Sequence, residues 1–411
     1  MVGGGGREHA LSWRLAHEAE VIVAPGNPGI AEDCETVDIS TKDHQAISSL
    51  CKDRKIDLVV VGPEDPLIDG LGDTLRAQGF AVYGPNADGA RLEGSKAFSK
   101  ALMREEGVPT ASFQSFTDPN DAKEYTRRRF GSGKSVAVKA SGNALGKGVV
   151  VAPILEQAID AIDRMMVAKE FGSAGETVVV EDRLVGPEFS LLTIVGDRNF
   201  VSLPVAQDHK RAFDGDAGPN TGGMGAFSPV PWVSRALIEE VESKVVLPTL
   251  NGLRAKGIQY RGTLFSGIMM DSGAPYCLEF NVRMGDPETQ ALMLLVGGGY
   301  AAALLASANG ARIEPPSIRD AASVSVIVSS RDYPERSSKG SPIRVGVLPA
   351  GAKLFHAGTA VKDGLLVTNG GRIIAASASA ETLPEARRLA YMAAEAVQFE
   401  GARFRSDIAQ M

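Results

Sequence analysis

Three cysteines in 411 residues, Cys34, Cys51 and Cys277, are too few and too scattered for a disulfide framework or a paired-cysteine metal site. A cytoplasmic setting is expected. No run is long and apolar enough for a membrane span, and the start, MVGGGG, lacks the basic and apolar segments of a signal peptide, so no membrane partner is expected. Positive charge is not in excess: 43 Lys plus Arg stand against 50 Asp plus Glu, a net charge of -7 that offers polyanions no general attraction. A nucleic-acid partner is therefore disfavoured. Also missing are any internal repeat and any Ser/His/Asp or Cys/His signature of nucleophilic catalysis.

Glycine, by contrast, is plentiful. With 46 Gly, 22 Pro, 44% hydrophobic and 23% charged residues, the composition is that of a globular enzyme with many tight turns, and the length calls for several packed units. In the first ninety residues the runs Val21–Ala24, Asp57–Gly62 and Ala81–Gly84 alternate with helical stretches, which indicates a Rossmann-like parallel sheet covered on both faces. Only Met1 and Val2 precede the glycine turn Gly3–Gly6, so this domain is expected either to begin upstream or to lack most of its first strand, leaving paired edges exposed. Ser95 caps a helix over 96–106, with a domain boundary just before it. Strands at Ser135–Lys139, Gly148–Ala152 and Thr177–Val180 define a small lid within about 115–180, and 181–309 supply a larger α+β floor. Past Pro315 and Pro316 come short strands, few ionisable constellations and a closing helix, Leu383–Gln398. The reading is an α/β and α+β multidomain chain divided at 1–92, 93–310 and 311–411, the last part β-rich.

Between Val136 and Gly148 (VAVKASGNALGKG) a lysine, Lys139, ends a strand and is followed by Gly142, Gly146, Lys147 and Gly148. Glycines let backbone N–H groups converge on phosphate oxygens, and the lysines supply charge. The spacing is not that of a P-loop, and by itself the segment reads equally as an ordinary Gly-rich hairpin. Further on, YCLEFN places Glu279 and Asn281 two residues apart on a strand and therefore on one face, with Arg283 a step beyond. Two oxygen donors there suit Mg²⁺, although a solvated polar face explains the pair alone as well. In VVVEDRLVGPE, Glu181 and Glu188 are candidates for an adenine- and ribose-binding hinge; in isolation they read as surface charges.

The order of these elements resembles the ATP-grasp superfamily. Longer segments resemble its phosphoribosylamine–glycine ligases over essentially the whole chain: GGREHA at 5–10, APGN at 24–27, VGPE at 61–64, LEGSKAF at 92–98, QDHKR at 207–211, GPNTGGMGA at 218–226, EFNVRMGDPETQ at 279–290 and TNGGR at 368–372. The resemblance implies an ATP-grasp core and a carbon–nitrogen ligase that turns glycine, ATP and 5-phosphoribosylamine into glycinamide ribonucleotide, ADP and phosphate, a step of purine biosynthesis. It implies ATP and Mg²⁺ (or Mn²⁺) as cofactors, and small-molecule partners only; a monomer is expected. On this basis Lys96, Lys139, Ser141, Gly142, Gly146 and Gly148 hold nucleotide phosphates, with Glu181 and Glu188 at the base and ribose. Glu279 and Asn281 hold the metal. Arg283, Lys147 and Asp208 serve the chemistry, while Gly5, Gly6, Arg7, Glu64, Lys210, Arg211, Asn220, Gly222 and Gly223 face the substrates. His9 reads equally as a packing residue.

The chain departs from the family's KADGLAAGKG at Ser141, Asn143 and Leu145, which leaves glycines and lysines in place but alters the loop. No carboxylate stands mid-strand at 264–268, so protein metal ligands are expected to be sparse. Three rival readings stand beside this one. A nicotinamide oxidoreductase rests only on the N-terminal glycines, which lack the spacing of G-x-G-x-x-G. The others are a non-catalytic nucleotide-binding module and an ATP-grasp ligase for another carboxylate.

Overall fold

The computed structural model describes residues 1–143 and 148–410. Its N-terminal unit is a parallel sheet in which Glu35–Thr36, Ile22–Pro25 and Val2–Gly3 pair in that order, and Val59–Val60 pairs with Val82–Tyr83. A parallel bridge from Val2 to Val61 joins the two groups, so Val2–Gly3 occupies the centre. The expectation of a gap with exposed edges is corrected here. Two residues suffice because Val2 is buried and paired on both sides, while the Met1 ammonium donates to the Ile22 carbonyl at 2.7 Å. Chain order reverses on either side of Val2, so the crevice at the carboxyl ends of these strands, beside Gly3–Gly6 and Gly62–Glu64, is where such a sheet receives ligands.

The lid is an antiparallel sheet ordered Phe113–Phe116, Val178–Asp182, Val136–Ala140, Val149–Ala152. Helices Pro119–Gly131 and Leu155–Ile162 cover it, and it has an apolar core of its own built on Val136, Val138, Val178, Val180 and Ile162. Asp118 caps the first of these helices by accepting from Asn120 and Asp121 N–H groups, with Pro119 pre-set for the first turn. An independent core lets the lid move as a body. The floor sheet runs Phe200–Ser202, Glu188–Val195, Gly262–Asp271, Ala274–Asn281, and helix Lys96–Glu105 leads into the cleft between floor and lid. Ser95 accepts from Phe98 N–H, which is the cap read from the sequence.

The last sheet takes Gln207–Asp208 and Gly225–Ser228 from the middle of the chain and pairs them with Ala322–Ser329, Arg372–Ala380 and Ala352–His356. Two of its strands are long, eight and nine residues, because every residue of Ala322–Ser329 is buried under the closing helix and the floor. The closing helix stops at Glu395, and Val397–Gln398 instead pairs with Arg344–Val345. Nor is this part poor in ionic constellations: Arg372, Lys353 and Arg405 pair with Asp286, Asp33 and Asp216, three acids from elsewhere in the chain. Among the described residues no helix is long and apolar enough to cross a membrane.

His9 belongs to this scaffold. Its ring accepts from His356 N–H at 2.8 Å and meets Asp33 at 3.0 Å, while Asp33 also binds Lys353 at 2.7 Å, so the first helix is pinned to the last sheet. Burial would raise the Asp33 carboxyl, but the hydrogen bonds from His9 and Lys353 bring it down to about 2. A depressed carboxylate contributes stability above its unfolded value and loses it as pH falls through its folded one. Asp33→Asn is therefore expected to cost about 1–3 kcal/mol at neutral pH and to flatten the loss of stability between about pH 4 and pH 2. Denaturant melts across that range check both outcomes.

Candidate active site

A cleft of about 300 Å³ opens where lid, floor, N-terminal sheet and the 207–222 segment meet. One end is apolar: Val149 and Leu184 from the lid side oppose Met269 and Leu278 from the floor. The rest is densely ionic, with Lys96, Lys100, Lys139, Lys210 and Arg283 set among Glu64, Glu93, Glu181, Glu188, Asp208, Glu279 and Glu288.

Lys139 and Glu279 share this cleft. Lys139 leaves the lid strand and points across to the floor, its Nζ 3.4 Å from the Leu278 carbonyl, next to Glu279. It also pairs with Glu181, whose other oxygen lies 2.6 Å from Lys100 Nζ. Glu181, expected at the nucleotide base, lines the cleft between two lysines and is 3% exposed. Burial would raise the Glu181 carboxyl, yet Lys139 and Lys100 hold it low. Burial also works against charge on Lys139, but Glu181 and Glu279 keep its ammonium above the ordinary value. Lys96 and Lys100 sit four apart on one helix and face the same way; burial lowers both.

On the strand Ala274–Asn281, both Glu279 and Asn281 line the cleft. Burial would raise the Glu279 carboxyl; Lys210, Lys139, Lys96 and Arg283 pull it below its usual range. Among the described residues no group of three or more His, Cys, Asp or Glu side chains is arranged to hold a metal. One carboxylate and one amide oxygen amid several cations fit a hard divalent ion only when phosphate oxygens complete its shell.

Arg283 is fixed from both sides, at 3.2 Å from Glu64 and 2.9 Å from Glu93, so it ties the N-terminal unit to the floor. Burial lifts Glu93 to about 7 against the pull of Arg283, whereas Arg283 and Arg7 bring Glu64 down to about 2 despite burial. Lys210 pairs with Glu188 at 2.7 Å. Beside them burial pushes Asp208 up to about 7, against the opposing charge of Lys210.

The remaining candidates divide. Gly148, Asn220 and Gly222 line the cleft. Arg7 lies behind Glu64, 3.8 Å from it and bound to Glu8; the N–H of Gly5 is likewise engaged by Glu8 at 2.6 Å, and Gly6 packs on Gln290. Arg211 bonds Asn220 and the Asp216 carbonyl along its hairpin. Gly223, at φ 106°, presses against Pro287, where a Cβ would come within 2.3 Å. Ser141 accepts from Ala97 N–H at 3.0 Å, and Gly142 donates to the Ala174 carbonyl at 3.0 Å, so these two anchor the roots of the loop. Gly146 and Lys147 lie outside the described residues. Sequence reading passed over Glu93, Lys100, Asp286, Glu288 and Arg372. All but Lys100 stand inside segments that carried the resemblance, and Lys100 was signalled by its spacing from Lys96.

The lid, floor and cleft are those of the ATP-grasp ligases, a fold that implies use of ATP with a divalent metal. Family models for phosphoribosylglycinamide synthetase match in three parts, the N domain at residues 1–93, the ATP-grasp (A) domain at 94–289 and the C domain at 323–411. The chain belongs to the phosphoribosylamine–glycine ligase (phosphoribosylglycinamide synthetase) family. It is 43% identical to a phosphoribosylamine–glycine ligase of Rhizobium meliloti, covering 99% of this chain and 97% of that one. It is also 44% identical to the trifunctional purine biosynthetic protein adenosine-3 of Gallus gallus, of which it spans 41%. The crystal structure of the Thermotoga maritima phosphoribosylamine–glycine ligase superposes with a TM-score of 0.85 at 36% identity, covering 99% of this chain and 98% of that one. A biotin carboxylase domain from Hydrogenobacter thermophilus, 16% identical with a TM-score of 0.74, covers 98% of this chain and 90% of its own and shares the fold.

Proposed function

We infer that this cleft joins glycine to 5-phosphoribosylamine, with ATP converted to ADP and phosphate, and that the product is glycinamide ribonucleotide. The observation that carries the reading is the convergence of Lys139 from the lid and Glu279 from the floor on one cleft, in a chain of this family. Adenine fits the apolar end between Val149, Leu184, Met269 and Leu278. Lys96 and Lys139 take the phosphates, and Glu279 with Asn281 would hold Mg²⁺ or Mn²⁺. When bound, the divalent ion neutralises phosphate charge and aligns the γ-phosphoryl group.

A carboxylate is a poor electrophile, so the glycine carboxylate oxygen first attacks the γ-phosphorus, displaces ADP and becomes glycyl phosphate. The amine of phosphoribosylamine then adds to the acyl carbon, phosphate leaves, and the amine sheds a proton. No protein nucleophile takes part; positioning and charge neutralisation do the catalytic work. Arg283 faces the transferring group, while its two acids fix its direction. Asp208 accepts the proton on its carboxylate. A base near 7 works in its deprotonated form, so the amine-dependent rate should rise as pH passes through about 7. In Asp208→Asn that rise should disappear, with kcat down by about 10²-fold; a pH–rate profile at saturating ATP tests it, the charged groups facing Asp208 being Lys210, Glu288 and Glu188.

ADP release measured across a panel of amino acids, each with and without phosphoribosylamine, tests the function itself. Release that requires glycine and the amine together is expected. A preference for another carboxylate sinks the assignment.

A further inference from the structure

The hairpin that ends at the cleft has little to hold it together. Arg211–Phe213 pairs with Ala217–Asn220 through two registered contacts interrupted by a bulge, and Phe213 is 50% exposed. A two-stranded ribbon without its own apolar core is marginal in water. At its base, however, order matters: Thr221 donates to the Lys210 carbonyl through both its N–H and its hydroxyl, and Asn220, Thr221 and Gly222 form part of the cleft wall.

The C-terminal segment takes hold of the other end. Arg405 is buried, its side chain 1% exposed, and spends its guanidinium on Asp216 Oδ1 at 2.9 Å, the Arg211 carbonyl at 3.0 Å and both oxygens of Asp407 at 2.7 Å. Asp407 in turn accepts from Gly215 N–H at 2.8 Å, and Ser406 donates from its N–H and hydroxyl to Asp214. Arg403 donates to the Ala212 carbonyl at 2.7 Å and stacks 4.9 Å from the Phe213 ring. The segment is itself tied to the closing helix, since Tyr391 donates to the Arg405 carbonyl at 2.7 Å and Arg387 to that of Ile408 at 2.9 Å.

We propose that Arg405 is a positioning residue for the ligase reaction: it latches the hairpin tip to the closing helix so that Asn220–Gly222 are held in place against the glycine and amine substrates. This rests on the function inferred above. Asp214 and Asp216 lie in a Gly- and Asp-rich turn that invites reading as a ligand site, but both serve the latch. The nucleotide end, built from lid and floor, does not depend on it.

Arg405→Met is expected to raise KM for glycine and phosphoribosylamine by about tenfold, because a small displacement of a positioning group is amplified in rate. ADP affinity by calorimetry should stay within about twofold of the parent. Asp216→Asn, at a side chain 71% exposed and in a left-handed backbone (φ 51°) that asparagine adopts as readily as aspartate, removes only the charge from the hairpin's half of one contact and should raise the same two KM values about threefold. If Arg405→Met fails to fold, Asp216→Asn decides. Substrate KM values that stay put while melting temperature falls overturn the proposal, as does an equal loss of ADP affinity. Should the parent protein release no ADP in response to glycine and amine, the functional assignment fails instead, a result separate from either variant's.

Discussion

Glu279→Gln is expected to lower kcat/KM by about 10²–10³-fold and to move the Mg²⁺ concentration for half-maximal rate upward by about tenfold or more. The substitution keeps shape and hydrogen-bonding capacity and removes one charge. That charge is the common counter-ion of Lys96, Lys139, Lys210 and Arg283. Its loss has two opposite consequences. With a single amide oxygen pair left on the strand, a divalent ion has no anionic protein ligand among those assigned to it. The cleft also becomes more cationic, so metal-free ADP should bind as tightly as to the parent protein or more so. A variant that bound all nucleotides weakly would point to disrupted packing instead. Glu279 borders open space on a strand edge of the cleft, and its melting temperature should be close to that of the parent. Unchanged kinetics at limiting Mg²⁺ would remove Glu279 from the metal site.

Local patterns that report on one strand or one turn were readable. The Ser95 cap, the lid strands around Lys139 and the alternation that aims Glu279 and Asn281 into one space all follow from periods of 2.0 and 3.6 and from capping chemistry. What the sequence did not disclose is which charges meet. Lys100, Glu181 and Lys139 come from a helix and two lid strands, and only the packing of that helix against the lid makes them one buried unit. Arg372 meets Asp286 across 86 residues, and Arg405 meets Asp216 across 189. No local period encodes such pairings. The short first strand is a related case: along the chain two residues look too few for a central strand, whereas Val2 is secured by neighbours on both sides of it. Ser141 and Gly142 show the limit of composition, since a serine and a glycine in a phosphate loop serve equally well to fasten its root.

Lys139→Met and Glu181→Gln should fail in opposite ways, although the two side chains touch. Removing Lys139 leaves Glu181 paired with Lys100 at 2.6 Å, so no buried charge is stranded and stability should change by no more than about 1 kcal/mol. Nucleotide binding should suffer instead, with ATP-dependent kcat/KM lower by about 10²–10³-fold, because the ammonium that crosses from lid to floor is gone. Removing the charge of Glu181 takes the direct counter-ion from two ammonium groups whose side chains are 7% and 3% exposed, leaving Lys100 with the Thr110 hydroxyl and Lys139 with the more distant Glu279, and the expected cost to folding is about 3–5 kcal/mol. Glu181 is held below its ordinary value, so its contribution is present above about pH 4.3 and fades as acid protonates it; the Gln variant should lack that part of the acid transition. In that variant Lys139 loses its direct ion pair but keeps the influence of Glu279, and any folded fraction should still bind ADP. Calorimetric titration and thermal melts on the same two preparations separate the cases. A Lys139→Met protein that binds nucleotide like the parent would dismantle the phosphate assignment. An undiminished melting temperature in Glu181→Gln would mean that the two lysines shed their protons or reach water without it.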